Sequence, residues 1–226
     1  MKGKLIVIEG NDCSGKETQC KLLIEKLNKE GYETFNMAFP RYDTPTGAIV
    51  GGPLLGKKYI CDSFFEDAAS VPPKVAGLYY SADRLYHTPE IKKNLEEGKI
   101  VVLDRYTTSN MGHQGGKMAT PEERREIFEF YDKLEFDMLG LARPDGYILL
   151  HMPYENVCEL RGVRPENADD VEGNAEYLKH AELAYLEMKD LYGFNYVPCA
   201  KDGKVRPIEE ISEDVYKFAK EIIDGK

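Results

Sequence analysis

No stretch of this 226-residue chain is long and apolar enough to cross a bilayer. The longest uninterrupted apolar runs, Leu5-Ile6-Val7-Ile8 and Ile100-Val101-Val102-Leu103, fall far short of the ~20 residues a spanning helix needs. Charge precedes the first of these runs and Glu9 ends it, so no secretory signal peptide is expected. An excess of positive charge is missing too. With 30 basic against 40 acidic side chains, the net charge is −10 at neutral pH, which argues against a chain-wide footprint for nucleic acid or an anionic membrane. Cysteine is sparse: Cys13, Cys20, Cys61, Cys158 and Cys199 form an odd set without a C-x-x-C. That pattern argues against a disulfide framework or a zinc site and points to reduced thiols in a cytoplasmic protein. Repeat periods, low-complexity tracts and Ser/Gly linkers are also lacking, so one domain over residues 1–226 is expected.

What is present suffices for a folded core, with 42% hydrophobic and 11% aromatic residues. Residues 4–9 read as a short buried strand, and 15–29 as a helix with apolar positions at Cys20, Leu23, Ile24 and Leu27. Strands are further expected at 33–38, 100–103, 146–151 and 194–197, and helices at 75–97, from Pro121 onward, at 174–192 and at 207–223. Between them, residues 41–73 lose all periodicity and form an irregular insertion with room for a short helix, while 161–173 read as a polar loop. Strands alternating with helices predict an α/β fold, a parallel sheet covered on both faces.

Chemistry enters at Gly10-Asn11-Asp12-Cys13-Ser14-Gly15-Lys16, which fits G-x-x-x-x-G-K. Glycines let backbone N–H groups turn onto phosphate oxygens, the following helix start adds its positive end, and Lys16 brings a mobile charge to the β- and γ-phosphates. About 0.16 chance matches are expected for this pattern in a chain of this composition. Its position between the first strand and first helix makes it more specific. The motif asks next for Ser or Thr, whose hydroxyl would meet Mg²⁺, but Glu17 stands there and Thr18 lies ~100° further round the helix. Glu17 could ligate the metal, directly or through water, or serve only as a favourable first-turn acid.

Four further constellations follow in order: Phe39-Pro40-Arg41-Tyr42, Tyr80-Ser81-Ala82-Asp83-Arg84, Asp104-Arg105-Tyr106 and His113-Gln114-Gly115. With Arg161 and Arg164 in the polar loop, the set resembles the thymidylate kinase family of P-loop nucleoside monophosphate kinases. That resemblance implies a three-layer α/β/α P-loop kinase fold, with a central parallel sheet of about five strands and a short lid near 161–174. It implies transfer of the γ-phosphoryl group of ATP to dTMP, with Mg²⁺ accompanying ATP, in a homodimer. By the same resemblance, Asp12 is the loop acid near the nucleotide sugar, and Arg41, with a one-residue ambiguity against Tyr42, holds the monophosphate beside Phe39. Tyr80 falls where an aromatic ring stacks on thymine, although alone it reads more readily as helix core beside Leu78, Tyr79 and Leu85. Arg84 takes the place of a guanidinium that bonds the base, Arg105 grips phosphates, Asp104 steadies Mg²⁺ and Gln114 reads the thymine edge. Planar arginine forks suit phosphates and aromatic rings suit base faces.

Three positions depart from the family: Glu17, Cys13 and His113. His113 stands where Tyr or Phe is usual near the deoxyribose. Cys13 occupies the loop position where some members carry a catalytic arginine, which shifts that role to Arg161 or Arg164. Glu172 resembles an acid at the far end of the lid. His113 keeps open a kinase for another nucleoside monophosphate or a nucleoside, and Glu17 a nucleotide-binding regulator that transfers little phosphate.

Overall fold

The computed structural model describes residues 3–11, 13–162 and 175–225, with side chains throughout except at 161, 162 and 175. Strand β1 (Lys4–Gly10) leads through the glycine loop into α1 (Lys16–Lys29), and β2 (Thr34–Ala38) follows. The insertion holds a short α2 (Pro45–Ile49), capped by the Thr44 side chain, then a π-helical turn Val50–Leu54 and a 3₁₀ turn Ala68–Ser70. After α3 (Pro73–Glu96) come β3 (Ile100–Asp104), α4 (Thr107–Gly115), α5 (Pro121–Tyr131) and a π-helical turn Asp132–Met138. The chain continues through β4 (Gly146–His151), α6 (Tyr154–Gly162), α7 (Ala175–Tyr192), β5 (Asn195–Pro198), the small pair β6 (Ala200–Lys201) and β7 (Lys204–Val205), and α8 (Ile208–Asp224).

Five strands form one parallel sheet in the order β2-β3-β1-β4-β5. Strand β1 is central and buried on both faces, which is why its sequence is a continuous apolar run rather than an alternation. Alternate residues still divide between two cores. Ile6 and Ile8 join Leu23 and Leu27 of α1 and Ile211 and Val215 of α8; Leu5 and Val7 join Ile91 of α3 and Tyr106. Each such side chain, fully buried, contributes roughly 1.5–3 kcal/mol. The chain passes from β1 to β2 on one side and from β3 to β4 on the other. The crevice beyond the carboxyl ends of β1 and β3 is therefore the topological switch point where open α/β sheets bind ligands.

The five expected strands are present to within a residue or two of their expected bounds, and so is the parallel, two-faced sheet. Two helices, α4 and α6, were not expected, and α2 is the short helix for which the insertion left room. Residues 161 and 162 end α6 rather than opening a loop. The remaining lid positions, Arg164 and Glu172 among them, lie outside the described residues, as does Asp12.

Candidate active site

The glycine loop is shaped by backbone constraints at its two ends. A Cβ on Gly10 would stand 2.3 Å from the Leu150 carbonyl oxygen, so only glycine lets β1 pass β4 there. Gly15 caps α1 in the left-handed region at φ 81° and brings no capping side chain of its own. The first-turn N–H groups of α1 are thus left to a ligand, the usual arrangement for a phosphate at a helix start. Asn11 pins the loop to the residue after β4, its Oδ1 accepting from the Met152 N–H at 3.1 Å and its amide donating to the Met152 carbonyl. The Lys16 ammonium is buried over the loop, 2.9 Å from the Asn11 carbonyl and 3.4 Å from Ser14 Oγ. Ser14 is buried, whereas Cys13, at φ 57°, and Thr18 are exposed. Glu17 also faces solvent. Its carboxylate holds Lys21 at 2.6 Å, and that hydrogen bond and charge lower its pKa.

Directly beside the loop, the Arg105 N–H donates to the Ile8 carbonyl at 3.0 Å, the step that follows the register pair Ile8–Asp104. Asp104 is buried at the end of β3, and Arg105 takes the left-handed conformation at φ 67°. Such strain in a residue with a side chain persists only where the surroundings enforce it, and it clusters at functional sites. The Arg105 Nη1 lies 3.1 Å from His113 Nε2, and His113 Nδ1 lies 3.0 Å from the Tyr177 hydroxyl. A guanidinium only donates, so in this contact Nε2 accepts from Arg105 and Nδ1–H donates to the Tyr177 hydroxyl. Glu9, at the end of β1, fastens α4 in place. Its carboxylate accepts from the Tyr106 N–H, Thr108 Oγ1 and Ser109 Oγ at 2.7–3.0 Å and lies 3.3 Å from the Tyr185 hydroxyl.

Against Arg105 opens a cavity of about 310 Å³. It gathers six of the expected substrate residues: Phe39, Tyr80, Arg84, Arg105, His113 and Gln114. Arg41 is not among them. It lies in an adjoining open groove, its Nη2 3.2 Å from Asp43, and Tyr42 lines the cavity instead. Sequence reasoning missed Asn110 and Ser109, on the unexpected α4, and Leu55 and Lys57, contributed by the insertion. Tyr177 was missed as well; its only signal was its place at the start of a helix after the polar loop. Lys57 also stands over the Tyr42 ring, 4.9 Å from its centroid. A cavity with aromatic walls, a few inward polar groups and several cations suits an anionic ligand carrying a flat ring.

Comparison with known proteins gives one answer. The thymidylate kinase family model matches residues 8–201. A probable thymidylate kinase of Thermococcus kodakarensis is 32% identical over 216 residues, covering 91% of this chain and 97% of that protein. One from Pyrococcus abyssi is 27% identical over the full length of both. In fold, the chain is similar to the thymidylate kinase of Candida albicans, with a TM-score of 0.74, 22% identity and coverage of 100% of this chain and 94% of the other.

Proposed function

This chain belongs to the thymidylate kinase family, and from that premise we propose that it transfers the γ-phosphoryl group of ATP to dTMP, giving dTDP, across the crevice between the glycine loop and the 310 Å³ cavity. The observation that carries the reading is Arg105: its backbone is bonded to the strand that enters the loop, while its guanidinium lines the cavity. One cation is therefore in reach of both phosphate chains. Phosphoryl transfer needs little covalent help from protein and depends on position and charge. Lys16 and the N–H groups opening α1 hold the ATP phosphates; Tyr80 and Phe39 cover the acceptor base; Arg105 faces the acceptor phosphate. Asp12, Arg161 and Arg164 complete the set from positions outside the described side chains, and one of the two arginines supplies the transition-state charge that Cys13 cannot.

Magnesium carried by ATP keeps most of its waters and needs only one or two protein carboxylates. Among the described residues no cluster of three metal-binding side chains exists, and buried Asp104 stands at the end of β3 beside the loop. These residues fit a nucleotide-borne ion, with Asp104 as its holder and the ion neutralising phosphate charge. Glu17, exposed and engaged with Lys21, is the weaker candidate. Glu17→Ser is accordingly expected to keep near-wild-type turnover at saturating Mg²⁺, measured by coupled ADP release; a collapse of turnover in both Glu17→Ser and Glu17→Gln would make the carboxylate essential.

A homodimer is part of the same reading. On α3 the outward positions Val75, Leu78, Ala82, Leu85, Tyr86 and Pro89 are all apolar and exposed, an unbroken stripe at helical spacing. Such a stripe on a soluble protein marks an interface. Leu85→Glu should turn a dimer into a monomer on analytical ultracentrifugation, and a wild-type monomer at micromolar concentration would refute the assignment. No helix among the described residues is long and apolar enough to cross a membrane. The five thiols are free, and we place the protein in the cytoplasm as one kinase domain with a lid.

The deciding experiment is ADP release with and without dTMP, followed by a panel of other nucleoside monophosphates and nucleosides. ADP formed only when dTMP is present supports the proposal. Preference for another acceptor would give His113 the weight, and ATP binding without transfer would indicate a regulator.

A further inference from the structure

Glu135 lies wholly buried in the π-helical turn Asp132–Met138 and does not line the acceptor cavity. Its oxygens nevertheless bind two residues that do. Oε1 accepts from Arg84 Nη2 at 2.6 Å and Asn110 Nδ2 at 2.8 Å, and lies 2.8 Å from Ser81 Oγ. Oε2 accepts from Arg84 Nε at 2.6 Å and Thr107 Oγ1 at 2.8 Å. The arginine is thus held in a two-bond fork, the strongest and most directional form of such a pair. A buried pair is weak evidence for stability, since apolar replacements of similar volume often do as well.

The geometry at Asn110 gives the pair a different purpose. The amide nitrogen is also 3.1 Å from the Gly77 carbonyl and 3.3 Å from Ser81 Oγ. A carboxylate oxygen and a carbonyl oxygen only accept, so this end of the amide has to be the NH₂. Turning it over would set Oδ1 against both acceptors at once. Asn110 therefore has an acceptor, Oδ1, and no donor left for the cavity. Gln114 adds another, its buried Oε1 lacking a hydrogen-bond partner among the described residues. Arg84, with Nε and Nη2 spent on Glu135, offers N–H from Nη1.

We propose that Glu135 is a positioning residue that fixes the hydrogen-bond polarity of the acceptor pocket, acceptor at Asn110 and donor at Arg84. A pocket so set selects a base edge that presents an N–H beside a carbonyl, the imide edge of thymine or uracil. Cytosine brings a bare ring nitrogen to Oδ1 and an amino group to the guanidinium, and is rejected at both. The proposal rests on the phosphoryl transfer proposed above and supplies its base choice.

The test compares kcat and KM for dTMP and dCMP, with KM for ATP, in the wild type and in Glu135→Gln. A site built on buried hydrogen bonds discriminates strongly, so the wild type should favour dTMP by roughly 10²-fold or more. Glu135→Gln keeps the volume but replaces one acceptor by an NH₂, which leaves the Gly77 carbonyl as the one strict acceptor holding the Asn110 amide and loosens its orientation. The expected result is a KM for dTMP raised about tenfold, a kcat/KM ratio of dTMP to dCMP lowered at least about tenfold, and an unchanged KM for ATP. Should Glu135→Gln not fold, Thr107→Val carries the test: it removes one donor from Oε2, leaves the cavity lining intact, and should shift the ratio the same way by less. A folded variant with a lower melting temperature and the wild-type ratio overturns the proposal and leaves Glu135 a structural ion pair. Equal use of dCMP and dTMP by the wild type also overturns it. Absence of any dTMP-dependent ADP release would instead defeat the phosphoryl-transfer reading.

Discussion

Lys16→Ala is expected to lose phosphoryl transfer by at least roughly 10²–10³-fold while the protein still folds, the scale seen when one preorganised charge-stabilising group is removed. Both halves of that expectation follow from where Lys16 sits. It opens α1, where alanine is at least as good a helix former, so local structure does not depend on it. Among the described residues, its ammonium bonds the Asn11 carbonyl and Ser14 Oγ, contacts within its own loop. An ordinary hydrogen bond contributes about 0.5–1.5 kcal/mol net, so the fold should survive its loss. In the proposed reaction the same ammonium turns to the β- and γ-phosphates of ATP, where charge moves during transfer and where water is excluded. There the interaction is far stronger than in the open loop. Coupled ADP release at saturating ATP and dTMP, alongside a thermal melt, separates the two effects. A variant that turns over within a few-fold of wild type would mean that the loop does not cradle the transferring phosphoryl group.

The loop was legible because physical constraint and sequence coincide there. A buried parallel strand has to be a continuous apolar run, the turn after it has to be glycine where β4 crowds Gly10, and the lysine has to follow. The same reasoning found all five strands of the sheet. It failed at α4, whose sequence Thr-Thr-Ser-Asn-Met-Gly-His-Gln-Gly has poor intrinsic helix propensity. That helix is made by packing: a Cβ on Gly112 would stand 2.7 Å from the Tyr185 ring and one on Gly115 2.5 Å from Phe128. Missing α4 meant missing Asn110 and Ser109. Glu135 was hidden for another reason. In Asp132-Lys133-Leu134-Glu135-Phe136-Asp137 it resembles a solvated charge run, and a π-helical turn shifts the facing of side chains away from the period of 3.6 used to read helices. Glu9 did carry a signal, a lone acid closing a fully apolar strand, and the structure shows what that signal meant.

Arg105→Gly and Arg105→Ala should be alike in activity and different in stability. Both remove the guanidinium that lines the acceptor cavity, and kcat/KM for dTMP should fall by roughly 10²-fold or more in each. Stability separates them through the backbone. At φ 67° a residue with a Cβ costs about 1–2 kcal/mol, a cost that alanine retains and glycine escapes. Glycine gives back about 0.5–1 kcal/mol through the greater freedom of its unfolded chain. The balance leaves Arg105→Gly about 0.5–1 kcal/mol more stable than Arg105→Ala, a gap of roughly 1–4 °C in melting temperature for a chain of this size. The bond from Arg105 to His113 is lost in both and cancels in the comparison. Thermal melts of the two variants, with kcat/KM for each, make the measurement. An alanine variant as stable as the glycine one would show that the left-handed turn costs nothing here. Should both variants instead stay active, Arg105 would be a structural residue, and the strain at the end of β3 would have no part in catalysis. If the order is as expected, the enzyme holds a strained backbone that glycine would relax, because the side chain at that position has to reach the phosphates.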